Sequence, residues 1–209
     1  MDAQVPPVHR GLTESSLTLA SGSPRRRAIL AQLGFRFRVV VPDVDEEAVT
    51  DPDPGELARK RALAKSRAVD GADGLVLAAD TLVVRNGRVY GKPSGPAEAE
   101  AMLAELCGGP HDVCSGLVLA DGDRVWSDVA RTRVWLRSAR PEEIAAYVAT
   151  GEPLDKAGSY AAQGLGSLLV ERVDGCFWNV VGLPVSCLVS GLRFFGYGLW
   201  PLGHSPGER

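Results

Sequence analysis

The feature that most constrains the fold is the junction at residues 17–27, where an apolar run is followed by a polar turn and three arginines. Residues 17–20 are typical of the end of a buried strand. Ser21-Gly22-Ser23 then forms a tight polar turn, Ser23 is a good helix N-cap, and Pro24 is favoured at the first helical position. The sequence therefore predicts a strand that leads directly into a helix, as in an α/β sheet.

The three arginines after this turn predict a binding site for a polyphosphate. The free N–H groups and the positive dipole end of a helix N-terminus attract anions, and the forked donors of arginine fit phosphate oxygens. Three cations are unfavourable at this end of a helix, which favours a bound anion over the alternative, an exposed basic first turn. Because consecutive residues cannot all face one way, we assign Arg25 and Arg26 to the site and expect Arg27 to be solvated or structural.

The size and charge of the chain limit its organisation and its partners. With 209 residues the chain is long enough for one substantial core, and its 45% hydrophobic and 23% charged residues are ordinary for a globular protein. We expect one domain over residues 16–196, a loose N-terminal arm over 1–15 and a tail over 197–209. A formal net charge of −3 excludes an overall basic field, so no nucleic-acid partner is expected.

Cysteine usage and hydropathy point to the cytoplasm. The four cysteines show no CxxC pairing and lie in apolar or turn contexts, which favours reduced thiols over a disulfide or a zinc site. The first sixteen residues lack the charged start and apolar core of a secretory signal. Residues 185–200 are apolar but contain Arg193 and three glycines and are too short to span a bilayer, so no membrane partner is expected.

Hydrophobic periodicity, Gly, Pro and the Asn-Gly turn divide the remaining chain into short strands and helices. The first half of the chain is predicted to contain a helix ending at Gly34, a half-buried strand at 35–41, an acidic loop at 42–55 and a helix at 56–69. A strand at 75–79 ends on Asp80, and the chain continues at 82–84, turns at Asn86-Gly87 and returns at 89–90. The second half is predicted to contain a helix that starts at Pro96 and stops at Gly108, strands at 113–120 and 125–136, a helix at 141–149, a strand near 168–173 and a final helix after Pro184. We find no internal repeat and no linker that divides the chain in two.

The pair Asp80-Thr81 is the second candidate functional feature. It follows the uniformly apolar run 75–79, and ligands of α/β sheets gather beyond the carboxyl ends of such buried strands. A carboxylate there can bind a divalent metal, or hold a water and take its proton during attack on phosphorus. The alternative is an aspartate that caps a turn, and Thr81 could equally hydrogen-bond a substrate or cap that turn.

Four further residues are candidates on weaker grounds. Lys65 is a single point charge, and Lys92 lies in a Gly-Lys-Pro turn that lets the backbone approach a ligand, although a surface lysine is the common alternative. Glu46 is a candidate metal ligand or part of a solvated loop. Gln163 lies in the glycine-rich segment 151–166 and carries the donor and acceptor needed to read a nucleobase edge, or to bond its own loop.

Several common catalytic motifs are absent. Gly91-Lys92 is followed by proline, which excludes the GxxxxGK[ST] string of a P-loop, and no GxGxxG follows a strand. His111 has no second histidine close in sequence, so we interpret it as structural. Neither a Ser/His/Asp nor a Cys/His set is found.

Five motifs together resemble a known family. LASGSPRRRAIL, AADTLVV, GKP, LDKAGSYAAQG and NVVGLP occur in this order, and over residues 17–195 the chain resembles the Maf family of nucleoside triphosphate pyrophosphatases. The resemblance implies an α/β fold related to the inosine-triphosphate pyrophosphatases: a mixed, bent sheet flanked by helices, with a cleft between two lobes, in a homodimer. It also implies hydrolysis of a nucleoside triphosphate between its α and β phosphates, with a divalent cation such as Mg, Mn or Co.

The resemblance also implies roles for individual residues. Asp80 matches the proton acceptor that activates water, either directly or with a metal between them. Arg25, Thr81 and Gln163 match positions associated with the choice of dTTP and UTP. The polar positions expected around the substrate are Ser21, Arg26, Lys65, Lys92, Asp155 and Lys156.

Two rival functions follow from the same resemblance. The sister subgroup acts on 7-methyl-GTP, tends to have a glutamate where Gln163 stands, and lacks the Asp155-Lys156 pair. A neutral amide complements the imide face of uracil or thymine, whereas a carboxylate suits a cationic methylated guanine, so we expect dTTP and UTP pyrophosphatase activity. The other rival is a non-catalytic, nucleotide-binding regulator of cell division.

Overall fold

The computed structural model describes residues 16–69, 71–72 and 74–198. The expected N-terminal arm and the tail beyond residue 198 lie outside the described residues. The strands are β1 (Leu17–Ala20), β2 (Arg38–Val40), β3 (Leu75–Arg85), β4 (Arg88–Tyr90), β5 (Gly109–Asp121), β6 (Arg124–Leu136) and β7 (Val170–Asp174). The α-helices are α1 (Pro24–Gln32), α2 (Pro54–Arg67), α3 (Pro96–Leu106), α4 (Pro141–Ala149), α5 (Phe177–Val181) and α6 (Val185–Phe194), and short 3₁₀ helices cover Glu152–Asp155, Ala157–Ser159 and Gly164–Leu169.

The strands form one mixed sheet in the order β2-β1-β3-β5-β6-β7, with β4 paired to β3. β1 is parallel to both β2 and β3, whereas β3, β5, β6 and β7 are joined by antiparallel pairings. Helices lie against this sheet, which confirms the expected mixed α/β class.

The two faces of the sheet have separate cores. Along β3, alternate residues point to opposite faces. Leu75, Leu77, Ala79 and Val83 belong to the large core under α1, α3, α4, α5 and α6, whereas the intervening residues pack against α2 and the chain that follows it. Asp80 therefore faces α2, and Thr81 faces the opposite side.

β3 has one continuous edge and one interrupted edge. Residues 76–84 pair with β5 along the whole strand. On the other edge, residues 75–77 pair with β1 and residues 83–85 pair with β4, so residues 78–82 have no strand partner there. The cleft opens at this gap.

This arrangement corrects the prediction that a strand ends at Asp80. The strand runs on to Arg85, and Asp80 lies in its middle, opposite Gly116 of β5. What ends near Asp80 is the parallel pairing with β1. The sequence predicted a ligand site beyond the end of β3, whereas the parallel strand that ends here is β1. The sequence shows where a strand is apolar but not where its partner strand stops.

Two boundaries also differ from the predictions. The strand expected at 35–41 is only the short edge strand β2, because Phe35 turns into the core while Val41 is 68% exposed. The helix expected from Glu56 begins at Pro54, because the Asp53 side chain accepts a hydrogen bond from the Glu56 N–H at 2.9 Å and caps it. At α1 the predicted cap is confirmed, since the Ser23 side chain accepts from the Arg26 N–H.

α2 approaches the sheet closely at Gly116. A Cβ at this position would lie 2.3 Å from the backbone of Arg59, so any other residue would push the helix away. Lys65 lies six residues after Arg59 on α2, and the close approach of the helix lets its side chain reach Asp80 on β3.

All four cysteines are free thiols, as expected. Within the described ranges, no helix is long and apolar enough to cross a membrane.

Candidate active site

A cleft of about 600 Å³ opens at the interrupted edge of β3. One side is formed by the turn before α1, the loop after β2 and by α2. The other side is formed by the chain after β4 and by the segment 155–163. All of the candidate residues from the sequence line this one cleft: Ser21, Arg25, Arg26, Glu46, Lys65, Asp80, Thr81, Lys92, Asp155, Lys156 and Gln163.

Asp80 and Lys65 form a buried ion pair at the centre of the cleft. The Lys65 Nζ lies 2.7 Å from Asp80 Oδ1 and 2.9 Å from Glu46 Oε1. The Lys65 and Asp80 side chains are only 10% and 8% exposed, whereas Glu46 is exposed. The second carboxylate oxygen, Asp80 Oδ2, is buried and has no hydrogen-bond partner among the described residues. A buried acceptor without a partner is costly, so this atom is available to a ligand or a water.

Arg26 connects three parts of the chain beneath the cleft. Its Nε donates to the Gly182 carbonyl at 2.9 Å, Nη1 to Ser21 Oγ at 3.1 Å and Nη2 to Thr81 Oγ1 at 3.3 Å. Burial lowers the pKa of the Arg26 guanidinium, an effect that the charge of Asp80 opposes. Because a guanidinium remains protonated in proteins, Arg26 places a positive charge close to the gap in β3.

Thr81 is positioned by the same contacts. Its hydroxyl lies 2.8 Å from that of Ser115, the residue opposite it on β5. Thr81 is therefore hydrogen-bonded both to Arg26 and to Ser115 of the sheet.

Arg25, Asp155 and Lys156 form a second ion-pair group across the cleft entrance. Arg25 Nη1 lies 3.1 Å from Asp155 Oδ2, and Lys156 Nζ lies 2.6 Å from Asp155 Oδ1. Partial burial raises the pKa of Asp155, but the hydrogen bond from Lys156 and the charge of Arg25 outweigh it and hold the pKa below its usual value. Asp155 thus joins α1 to the opposite side of the cleft, while Arg27 is exposed and does not line it.

Gln163 and Lys92 differ from the other candidates, because their side chains form no hydrogen bond or ion pair among the described residues. Both side chains are exposed on the far side of the cleft. The apolar side chains next to them include Val83, Tyr90 and Tyr160. This part of the cleft can therefore contact a flat, partly apolar group and offer hydrogen bonds at its edge.

His111 lies beneath this side of the cleft, within β5. It is 2% exposed, and its Nε2 lies 2.8 Å from the hydroxyl of Tyr160. Burial lowers the pKa of His111 to about 4, so the neutral ring is present at neutral pH. Its position below Tyr160 is consistent with a structural residue.

Sequence reasoning missed three contributors to the site. Ser115 and Gly182 act through hydrogen bonds to Thr81 and Arg26 that only the tertiary structure reveals. Arg61 lines the cleft from α2, and its position four residues before Lys65 is a signal that could have found it, since such residues share a helix face.

The donor set fits a small divalent cation. Mg²⁺ is usually bound by one or two carboxylates together with substrate phosphates and waters. Asp80 Oδ2 is such a donor because it is buried and unpartnered, and Glu46 is the second carboxylate beside Lys65. Among the described residues, no group of three or more His, Cys, Asp or Glu side chains could hold a metal, so phosphate oxygens would have to complete the coordination.

Comparisons with known proteins agree along almost the whole chain. A family model described as Maf-like protein matches residues 16–195. A dTTP/UTP pyrophosphatase of Moorella thermoacetica is 48% identical over 190 residues, which are 89% of this chain and 98% of that protein. The proteins of the same name from Gloeobacter violaceus and Thermus thermophilus are 50% and 47% identical, over 86% and 94% of this chain and 95% and 100% of their own lengths.

Solved structures that resemble the chain are more distant. The Ham1 protein of Staphylococcus aureus is 18% identical with a TM-score of 0.38, over 57% of this chain and 69% of that one. A HAM1 protein from Coxiella burnetii is 17% identical with a TM-score of 0.39, over 58% and 72%. Because the family model covers residues 16–195 and the named relatives match over nearly their full lengths, the chain belongs to the Maf-like protein family.

Proposed function

We propose that this protein is a nucleoside triphosphate pyrophosphatase that hydrolyses dTTP and UTP to the monophosphate and pyrophosphate. Relatives that carry this name are 47–50% identical to it over most of the chain. The observation that carries the chemical proposal is the buried, unpartnered Oδ2 of Asp80 in a cleft lined with cations. A carboxylate oxygen in that position can accept the proton of an attacking water.

Asp80 acts as the proton acceptor. Its Oδ1 is held by Lys65, so the carboxylate cannot rotate freely and Oδ2 keeps one orientation. A general base must lie within hydrogen-bond reach of the water, and fixed geometry of this kind is what general-base catalysis requires. The water then attacks the α phosphorus in line with the leaving pyrophosphate.

The cations of the cleft hold the triphosphate. Arg25, Lys92 and Lys156 line the cleft around Lys65 at its centre, and Arg26 places its charge at the gap in β3. Fixed positive charges stabilise the negative charge that develops on the phosphate oxygens during the reaction. Asp155 contributes by positioning Arg25 and Lys156, because its carboxylate would repel a phosphate.

A divalent cation fits beside Asp80, with Glu46 as a second ligand. When bound, it would neutralise charge on the phosphates and polarise the reacting group. Lys65 lies between the two carboxylates and keeps them together before the substrate arrives.

Gln163 reads the base. Its amide offers one donor and one acceptor, which match the imide N–H and a carbonyl of thymine or uracil. Ser21, Arg25 and Thr81 complete the polar surface near the turn before α1, at the opposite side of the cleft. Selection by hydrogen bonds to a base edge is strong, because a wrong base leaves a polar group without a partner.

The decisive experiment is an assay over a panel of nucleotides with Mg²⁺, Mn²⁺ or Co²⁺, in which pyrophosphate and phosphate are measured separately. We expect pyrophosphate release to be fastest with dTTP and UTP. Hydrolysis in ¹⁸O-labelled water should place the label in the nucleoside monophosphate, because the water attacks the α phosphorus. Preference for 7-methyl-GTP, or nucleotide binding without any product, would refute the proposal.

The same proposal includes a cytoplasmic enzyme that works as a homodimer. These two statements stay predictions from the sequence, and light scattering on the purified chain tests the second.

A further inference from the structure

We propose that Arg61 is a further phosphate-binding residue, which holds the terminal phosphates of the substrate and then the pyrophosphate leaving group. This inference rests on the proposed pyrophosphatase activity and extends it. Arg61 lies outside the five motifs that identify the family resemblance.

Arg61 shares a helix face with Lys65. The two residues are four positions apart on α2, so their side chains leave the helix on the same side, about 6 Å apart along its axis. Both line the cleft. Since Lys65 is held beside Asp80, where the α phosphorus reacts, Arg61 lies one helical turn away from the reacting group. Successive phosphates of one chain can contact both residues.

Arg61 has a buried hydrogen-bond donor without an acceptor among the described residues. This donor is its Nε, and Arg61 forms no ion pair within the described part of the chain. The other two arginines of the cleft differ from it, because Arg25 pairs with Asp155 and Arg26 donates to three protein oxygens. A buried guanidinium N–H without an acceptor is unfavourable, so a ligand oxygen at Arg61 would remove this cost.

The distribution of ion pairs in the cleft also favours Arg61 as a phosphate-binding residue. Six cations and three carboxylates line it. Lys65 already contacts the carboxylates of Asp80 and Glu46, and Arg25 and Lys156 share Asp155. Arg26, Arg61 and Lys92 have no carboxylate partner among the described residues, and Arg26 already donates to three protein oxygens. The leaving pyrophosphate carries the most concentrated negative charge of the reaction, and arginine binds such oxygens in a forked geometry.

The test compares Arg61→Met with Arg61→Lys in the full chain, and inorganic pyrophosphate is the first probe. Calorimetric titration should show pyrophosphate binding about tenfold weaker in Arg61→Met and a smaller loss in Arg61→Lys, while dTMP binding changes less than about twofold. In steady-state assays KM for dTTP should rise by a similar factor. Arg67→Met is the matched control, because Arg67 is exposed in the last turn of the same helix and does not line the cleft.

Unchanged pyrophosphate affinity in Arg61→Met would overturn the proposal. Equal losses for pyrophosphate and dTMP would overturn it too, because they would indicate a general disturbance of the cleft. The pyrophosphate titration does not depend on which nucleotide is the substrate. If the wild-type protein released no pyrophosphate from dTTP or UTP but still bound pyrophosphate through Arg61, the proposed function would fail while this inference stood.

Discussion

The two sides of the cleft use the same kinds of residue in different ways. We call Arg26, Lys65 and Asp80 the inner wall, and Asp155, Lys156 and Gln163 the outer wall. Residues of the inner wall are 5–9% exposed, whereas the Asp155 side chain of the outer wall is 58% exposed and Gln163 is also exposed. Charges of the inner wall therefore act in a medium of low dielectric and have fixed geometry, while water screens the Asp155 carboxylate of the outer wall.

The backbone explains this difference. The inner wall stands on β3, α1 and α2, whose backbone groups are paired within regular elements. The outer wall stands on a chain of 3₁₀ turns, in which Gly158 and Gly164 adopt positive φ angles of 69° and 75°. Regular elements position a side chain more rigidly than loops do, so we expect the inner wall to carry the chemistry and the outer wall to recognise the base.

The largest effect should follow from Asp80→Asn. The amide keeps an oxygen for Lys65 but cannot accept a proton, so kcat for dTTP should fall by about a hundredfold or more, with dTTP binding retained. Rapid-quench kinetics and equilibrium binding measure the two quantities separately. Asp121→Asn, at the exposed end of β5, is the control. Normal turnover in Asp80→Asn would contradict the proposed chemical role of the inner wall.

The next effect concerns pH and the support of the outer wall. His111, the partner of Tyr160, has a folded pKa of about 4 and an ordinary value of 6.5, so the unfolded chain binds more protons between these two values. Stability should therefore fall as the pH decreases from 6.5 toward 4, by about 2 kcal/mol between pH 7 and pH 5.

Chemical denaturation of the wild-type protein and of His111→Gln at both pH values tests this. The variant has no ring to titrate, so its loss over the same interval should be smaller by about that amount. An identical pH dependence in both proteins would show that His111 is not the group responsible.

A smaller effect is expected for Gln163→Glu. The carboxylate lacks the amide donor, so kcat/KM for dTTP and UTP should fall about tenfold, while the relative rate with 7-methyl-GTP should rise. Competition assays with nucleotide mixtures measure the ratio directly. Gln32→Glu, which is exposed at the end of α1, should leave the ratio unchanged. A uniform loss for all nucleotides would contradict a role in reading the base.

The smallest effect should come from Asp155→Asn. Its side chain is 58% exposed, so water screens its ion pairs with Arg25 and Lys156, and pairs exposed to solvent contribute only about 0–1 kcal/mol. We expect kcat/KM for dTTP to change less than about threefold, with the difference shrinking further at high salt. A loss as large as that of Asp80→Asn would show that the two walls do not divide the work as proposed.

The local patterns of the sequence determined much of the fold. Ser23 and Pro24 specified the start of α1, Asn86-Gly87 specified the hairpin between β3 and β4, and the alternating or uniform apolar runs specified the strands. These features depend on residues close together in the chain, which is why they can be read without the tertiary structure. The start of α2 at Asp53 was a similar signal that was overlooked.

The sequence by itself also predicted the candidate side chains that line the cleft, because the five motifs and their residue types are local. Only the tertiary structure decided how they act together. It placed Asp80 in the middle of β3 at a gap between β1 and β4 and left its Oδ2 without a partner among the described residues. It also brought Lys65 to Asp80, Glu46 to Lys65, and Arg61 into the same cleft. These relations depend on strand pairing and on the packing of α2 over Gly116, which are contacts between residues far apart in the chain and have no local sequence signature.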